Sequence, residues 1–373
     1  MKSNPLNILL ITQEDILAGS SFSVSYLAEA LAARGHKVLV AARPMSVLQG
    51  LLADSTSVIF VPFVIKSRFD RKAIRHLKSI VEEHQIEVIN AQSSKDRYIT
   101  IFARMFYGVR ALLFHTRRQY PLSAGGFLQN SFYVKGTDKI ILISHELKRI
   151  FIKKGYPDKH LKVIHNGIPV SRYNQWNEQD VVELKQLYGI QTGDLVVGSI
   201  SRLKRHEQLI WAIKDLAMPN VKVLLVGVKE GHFDTLCTEL GITNQVIYAG
   251  EVVPEKVLNY YKLLTVNILP SITDGFGLVL LESMAMGCPV VATRFGGILD
   301  VVQHKENGLL FDDGDYHQLA VHIKSVLYDL DLRNALIQKG FVTIQTFTMN
   351  NTTRNYETFF EEQIASALTR LKG

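Results

Sequence analysis

Two carboxylates, Asp274 and Glu282, stand eight positions apart in a glycine-bearing stretch running from Pro270 to Thr293. An apolar run ends at Leu269. The loop after it carries Gly275 and Gly277, with Phe276 between them, and a helix is expected to begin near Gly277 or Leu278. Glycine lets a backbone approach a ligand closely, and the first free amides of a helix suit a phosphate. Asp274 on the loop and Glu282 on the helix would then grip sugar or ribose hydroxyls at two depths of one pocket. The plainer alternative, a turn aspartate and an ordinary acid near a positive helix end, stays open on these residues alone. A second stretch, from Gly198 to Ile210, places Arg202, Lys204 and Arg205 just after another apolar run. Two cations there could neutralise a diphosphate, on which charge builds as it leaves; a solvated basic turn is the alternative. In the first half, Gly19 follows the first apolar run and His115 closes a later one, where a strand's carboxyl end would expose it. Arg117 and Arg118 come just beyond and could meet an acidic acceptor or simply be solvated.

Positioning such residues requires strands that end where the chemistry begins. Residues 7–12, 37–42, 57–61, 87–91, 111–115 and 139–143 read as strands, apolar almost throughout, as in parallel sheets covered on both faces. Helical spacing fills 23–34, 71–84, 95–107 and 144–154, with Gly35 placed as a helix C-cap. Asn166, Gly167 and Pro169 then punctuate the chain. The rhythm restarts with strands at 195–200, 221–226, 245–248, 266–269, 289–292 and 308–311, and with regular helices at 254–263 and 315–329. This alternation predicts two doubly wound, Rossmann-like α/β domains, with ligands at the carboxyl ends of the strands facing a cleft. The expected division is residues 1–168 for an acceptor-binding domain and 169–352 for a donor-binding domain. Residues 353–373 form a closing helix whose aromatics Tyr356, Phe359 and Phe360 pack back on the first domain.

The segment from Asp274 to Glu282, continuing to Thr293, resembles the donor-binding motif of the group 1 (family 4) retaining glycosyltransferases, which have the GT-B fold. The resemblance implies that Asp274 contacts the donor sugar and Glu282 the ribose hydroxyls; the family usually has the longer Glu at the first position. Arg202 matches a family arginine that neutralises the donor diphosphate. Lys204 is taken as its lysine partner, with Arg205 in reserve, because the loop is about three residues shorter than is usual. The stretch 15–25, with Gly19, resembles the family's N-terminal glycine loop, and His115 a histidine beside the donor sugar. Residues 163–169 resemble its hinge. The resemblance thus implies a retaining, metal-independent transfer from a nucleoside-diphosphate sugar to a glycan or lipid-linked acceptor, in envelope polysaccharide or lipopolysaccharide assembly.

Composition narrows the class further. The 373 residues suit two domains, and two cysteines, Cys237 and Cys288, rule out a disulfide scaffold. Their apolar surroundings fit buried, reduced thiols of a cytoplasmic protein. The 12 histidines are scattered without metal-ligand spacing, so no metal or other cofactor is expected. No apolar run is long enough for a signal peptide core or a membrane span. Up to Val170 there are 24 basic and 12 acidic residues, and beyond it 18 and 23. The basic first half is expected either to rest on an anionic membrane surface, on the inner face of the plasma membrane, or to bind a soluble acidic acceptor. No nucleic-acid partner is expected. Rival readings are a nucleotide-sugar epimerase on the same fold and a non-catalytic nucleotide-sugar-binding protein. A dinucleotide oxidoreductase lacks its Gly-x-Gly-x-x-Gly, since Leu17 to Phe22 supplies one glycine.

Overall fold

The computed structural model describes residues 4–120 and 126–372. The chain divides into two α/β units, one made of Met1–Gly167 and Met349–Gly373, the other of Ile168–Thr348. In the first unit the strands are β1 (Asn7–Ile11), β2 (Lys37–Ala42), β3 (Val58–Pro62), β4 (Val88–Ala91), β5 (Leu112–Arg117), β6 (Lys139–Leu142) and β7 (Leu161–Val163). They form one parallel sheet in the order β3-β2-β1-β4-β5-β6-β7. Ile8 to Ile11 and Val38 to Ala42 are fully buried, because crossover helices cover both faces and leave no strand side for water. The helix Gly19–Ala33 returns the chain from β1 to β2. It is stopped by Gly35 at φ +97°, which donates its N–H to the Ala32 carbonyl at 2.9 Å while His36 donates to Leu31 at 3.3 Å.

The helix Met349–Lys372 belongs to this unit and closes its core. Tyr356, Phe359 and Phe360 are at most 2% exposed and pack in one cluster with Ile8, Leu10, Val40 and Phe114. Phe114 meets Phe359 at 5.0 Å and Phe360 at 5.3 Å between ring centroids. Each buried phenylalanine stabilises the fold by roughly 1.5–3 kcal/mol. Buried Glu357 fixes the helix in register, accepting from Arg34 Nε at 2.6 Å and bonding His36 Nε2 at 3.0 Å.

The second unit carries β8 (Leu195–Ile200), β9 (Val221–Val226), β10 (Val246–Gly250), β11 (Val266–Leu269), β12 (Val290–Thr293) and β13 (Leu309–Phe311). They form a parallel sheet in the order β10-β9-β8-β11-β12-β13. Cys237 and Cys288 are buried free thiols.

The doubly wound α/β class is as expected, with two differences. β7, not read as a strand from the sequence, is a three-residue strand paired to β6; so short a run leaves little signal. β5 runs two residues past its apolar segment, and Thr116 and Arg117 pair with Ile141 and Leu142. In both sheets the strand order reverses once, between β1 and β4 and between β8 and β11. Loops leaving those strands diverge to opposite faces and open a crevice at the carboxyl edge.

Candidate functional site

In the second unit the crevice is flanked by the two stretches singled out in the sequence. After β8 comes the turn 201–206, and after β11 the loop 270–277 that feeds the helix Leu278–Ala285. The Arg205 N–H donates to the Pro270 carbonyl at 3.0 Å and ties the two together. Lys204 Nζ donates to Thr273 Oγ1 at 3.1 Å and lies 3.5 Å from Asp274 Oδ2. That carboxylate oxygen is buried and accepts no hydrogen bond, so it keeps acceptor capacity. Arg202 is exposed beside them. Arg205, the reserve cation, is held elsewhere: Nε donates to Glu207 at 2.9 Å and Nη1 to Asp313 at 2.7 Å. Lys204, by contrast, pairs with the loop 270–277 itself, at Thr273 and Asp274.

His206 is fully buried and orients the turn. Its Nδ1 accepts the Lys204 N–H at 3.0 Å, so Nε2 carries the proton and donates to Ser199 Oγ at 2.9 Å. Burial, with Lys204 close by, depresses its pKa to about 4.

Gly277, at φ +84°, caps the helix Leu278–Ala285 without a side-chain acceptor, leaving the first amides open. Gly275 is buried against Gly297, where an added Cβ would overlap the Gly275 carbonyl. Phe276 and Leu278, expected to bind donor, turn their side chains into the core. Phe276 is 2% exposed and packs edge-on to Phe347 at 5.6 Å. A ligand would meet their backbone rather than their side chains. Glu282 is half-buried and accepts the Tyr261 hydroxyl at 3.1 Å. Burial raises its pKa, opposed by Tyr261, Arg172 and Tyr173. The site thus offers cations, open amides and two carboxylates at one edge of one sheet, a set that suits a diphosphate bearing hydroxylated rings.

In the first unit, Gly19 is the exposed first residue of its helix. Glu14, in the loop before it, accepts Ser20 Oγ at 2.8 Å. The expectation of an exposed His115 at a strand end is corrected. Two strand residues follow it, its side of β5 is covered, and it is 1% exposed. Its Nε2 lies 3.4 Å from Thr100 Oγ1 and its ring meets Tyr133 edge-on. Burial, then Arg97 and Arg117, hold it neutral with a pKa well below the usual range. Arg117 lies across the rings of Tyr133 and Phe151, at 5.3 and 5.2 Å. Arg118 Nη1 donates to Gln92 Oε1.

Thr273, Tyr261, His206, Gly297 and Arg97 were not singled out in the sequence. Thr273 and His206 lie within the quoted stretches but look like turn residues. Tyr261, Gly297 and Arg97 come from other segments, brought in only by the fold.

The chain was compared with known proteins. A family model described as "Glycosyl transferases group 1" matches residues 188–342, and one described as "Glycosyltransferase Family 4" matches residues 18–172. N-acetyl-alpha-D-glucosaminyl L-malate synthase of Bacillus anthracis is 29% identical over 238 residues, 61% of either chain. The chain spans about half to three fifths of the length of the curated relatives it matches. A glycosyltransferase structure from Rickettsia africae superposes with a TM-score of 0.86 at 18% identity, covering 97% of this chain and 99% of that one. Anabaena HepE in complex with UDP-glucose gives 0.80 at 23% identity, covering 97% and 100%. The fold is that of the GT-B glycosyltransferases.

Proposed function

The chain belongs to the glycosyltransferases of group 1 and family 4, and on that footing we propose that it moves a sugar from a nucleoside-diphosphate sugar to an acceptor. The second unit holds the donor, and the observation that carries this is the convergence of Lys204, Thr273 and Asp274 beside the open amides of the helix Leu278–Ala285. Arg202 and Lys204 take the diphosphate and stabilise the charge that develops as it departs. Glu282, fixed by Tyr261, takes the ribose hydroxyls, and Asp274 a hydroxyl of the sugar. Transfer proceeds with retention and without a metal; departure and attack share one face of the sugar, and the leaving diphosphate accepts the acceptor's proton. UDP-glucose, bound by the Anabaena structure of the same fold, is the first donor to try.

The acceptor meets the basic first unit. It is a glycan or lipid-linked molecule of envelope polysaccharide assembly, and the enzyme sits peripherally on an anionic membrane. An aromatic patch supports that placement: Phe69 is 72% and Phe106 70% exposed, each stacked on Phe102.

The test is binding of UDP, GDP, ADP and their glucose conjugates, read by thermal shift, for the wild type and Glu282→Gln. One nucleotide should raise the melting temperature of the wild type. Glu282→Gln, which keeps the shape but loses the charge on the ribose, should bind about tenfold more weakly or worse. Equal affinity would remove Glu282 from the site, and no shift with any nucleotide would overturn the donor assignment.

A further inference from the structure

We infer that the first unit carries a subsite for an anionic group, a phosphate or a carboxylate, between Arg97 and Arg118 where its strand order reverses. Its role in holding the acceptor rests on the function proposed above; the binding of the anion does not.

The strand order of this sheet reverses between β1 and β4. Gln92 leaves β4 there, and the helix Ser94–Tyr107 carries Arg97 on its first turn. Arg97 Nη2 donates to the carbonyls of Gln92 at 3.0 Å and Thr116 at 3.3 Å. Arg118 Nη1 donates to the Gln92 side chain. Both guanidinium groups are thus clamped to one residue, Gln92, which is 4% exposed. Each keeps a buried Nε–H that meets no acceptor. A folded chain rarely leaves a buried donor unmade, and here two stand on charged groups tied to the same residue.

The charges are as unmatched as the donors. Elsewhere this unit pairs its partly buried arginines: Arg104 with Asp138 at 2.6 Å, and Arg34 with Glu357 at 2.6 Å. Among the described residues, no ion pair neutralises Arg97, Arg117 or Arg118. Asp96, the nearest acid in sequence, is spent on capping its own helix, accepting from the Gln92 N–H at 2.8 Å, the Ser93 N–H at 2.7 Å and the Ser93 hydroxyl. Glu14 accepts the Ser20 hydroxyl and forms no ion pair with Arg118, though its charge favours the charged form of that group. Burial, and then Arg117, pull the pKa of Arg97 down to about 9, outweighing the opposing pull of Asp96 and Tyr133. Arg117, parked over Tyr133 and Phe151, adds field without offering its fork. An anion admitted between the two guanidinium groups would meet both unmade Nε–H donors and the field of three arginines, and would relieve both costs at once.

The test uses the full chain saturated with UDP, so that the diphosphate site is filled, and titrates inorganic phosphate or malonate by calorimetry. Either anion should bind the wild type, the tighter one naming the group the acceptor carries. The double variant Arg97→Gln, Arg118→Gln should bind it about tenfold more weakly or worse while its UDP affinity holds. Arg118→Lys, which keeps the charge but not the fork, guards against misfolding and should fall between. Arg202→Gln with Lys204→Gln should do the reverse, losing UDP and keeping the anion. Anion affinity unchanged in the Arg97, Arg118 variant, or no binding of either anion to the wild type, would overturn the subsite. Anion binding without any response to UDP would overturn the donor assignment and leave the subsite standing.

Discussion

His206 is buried, yet it fixes the backbone of the turn that carries Lys204. Its imidazole stands between the Lys204 amide and the Ser199 hydroxyl, and both bonds need the neutral ring with its proton on Nε2. That makes it a positioning residue with a readable pH signature. Its folded pKa, about 4, is below the ordinary value of 6.5. The unfolded chain therefore binds the proton more readily, and stability falls as pH drops through the window between the two values. The group contributes about 2 kcal/mol of that loss between pH 7 and pH 5. His206→Ala should flatten this part of the stability profile, measured by urea unfolding at the two pH values, and should weaken UDP binding at pH 7. His115 and His160, also depressed, will keep some slope. An unchanged slope together with unchanged UDP affinity would mean that the ring fills space and nothing more.

The loop 270–277 is shaped by a neighbouring element distant in sequence. The turn after β12 brings Gly297 so close that any Cβ would overlap the Gly275 carbonyl. Gly297→Ala should push the loop that carries Asp274, costing about 1–3 kcal/mol of stability by overpacking and weakening UDP binding. Gly50→Ala, in a helix where a Cβ meets nothing within 4 Å, is the control and should be neutral or slightly stabilising. If both variants bind UDP alike, the contact does not shape the site. Gly297 also shows where sequence reading stops. Continuous apolar runs located twelve of the strands, because parallel strands buried on both faces leave such a trace. Asp274 and Glu282 could be singled out because one strand, loop and helix carry both. Contacts between distant segments leave no such trace: Gly297 on Gly275, Tyr261 on Glu282, and Arg97 beside Arg118. His115 was misplaced for a related reason. The apolar run ends at the histidine, while the ladder continues through polar Thr116 and Arg117.

At the scale of the whole molecule, charge and apolar surface coincide in the first unit. Phe69, Phe106 and Met105 are exposed, and Lys66, Arg68, Arg71, Lys72 and Arg110 are exposed close to them in sequence. Asp70 within that run accepts the backbone amides of Lys66, Lys72 and Ala73 as a helix cap. Vesicles rich in phosphatidylserine should float the protein at low salt, and about 0.5 M salt should release most of it. Phe69→Ser with Phe106→Ser should cut recovery several-fold without changing UDP affinity. Equal recovery on neutral vesicles, or none on anionic ones, would remove the membrane from the proposal. The helix Met349–Lys372 has a consequence of another kind. The first unit is finished by residues made after the whole of the second, since Tyr356, Phe359 and Phe360 complete a core whose sheet is encoded before Gly167. The second unit is one continuous span, Ile168–Thr348. On the ribosome, the first unit can thus close only after the second has been made. At ordinary elongation rates its apolar face over Phe114 waits about 10–40 s for its cover, long enough for a nascent-chain chaperone to be the first partner this protein meets.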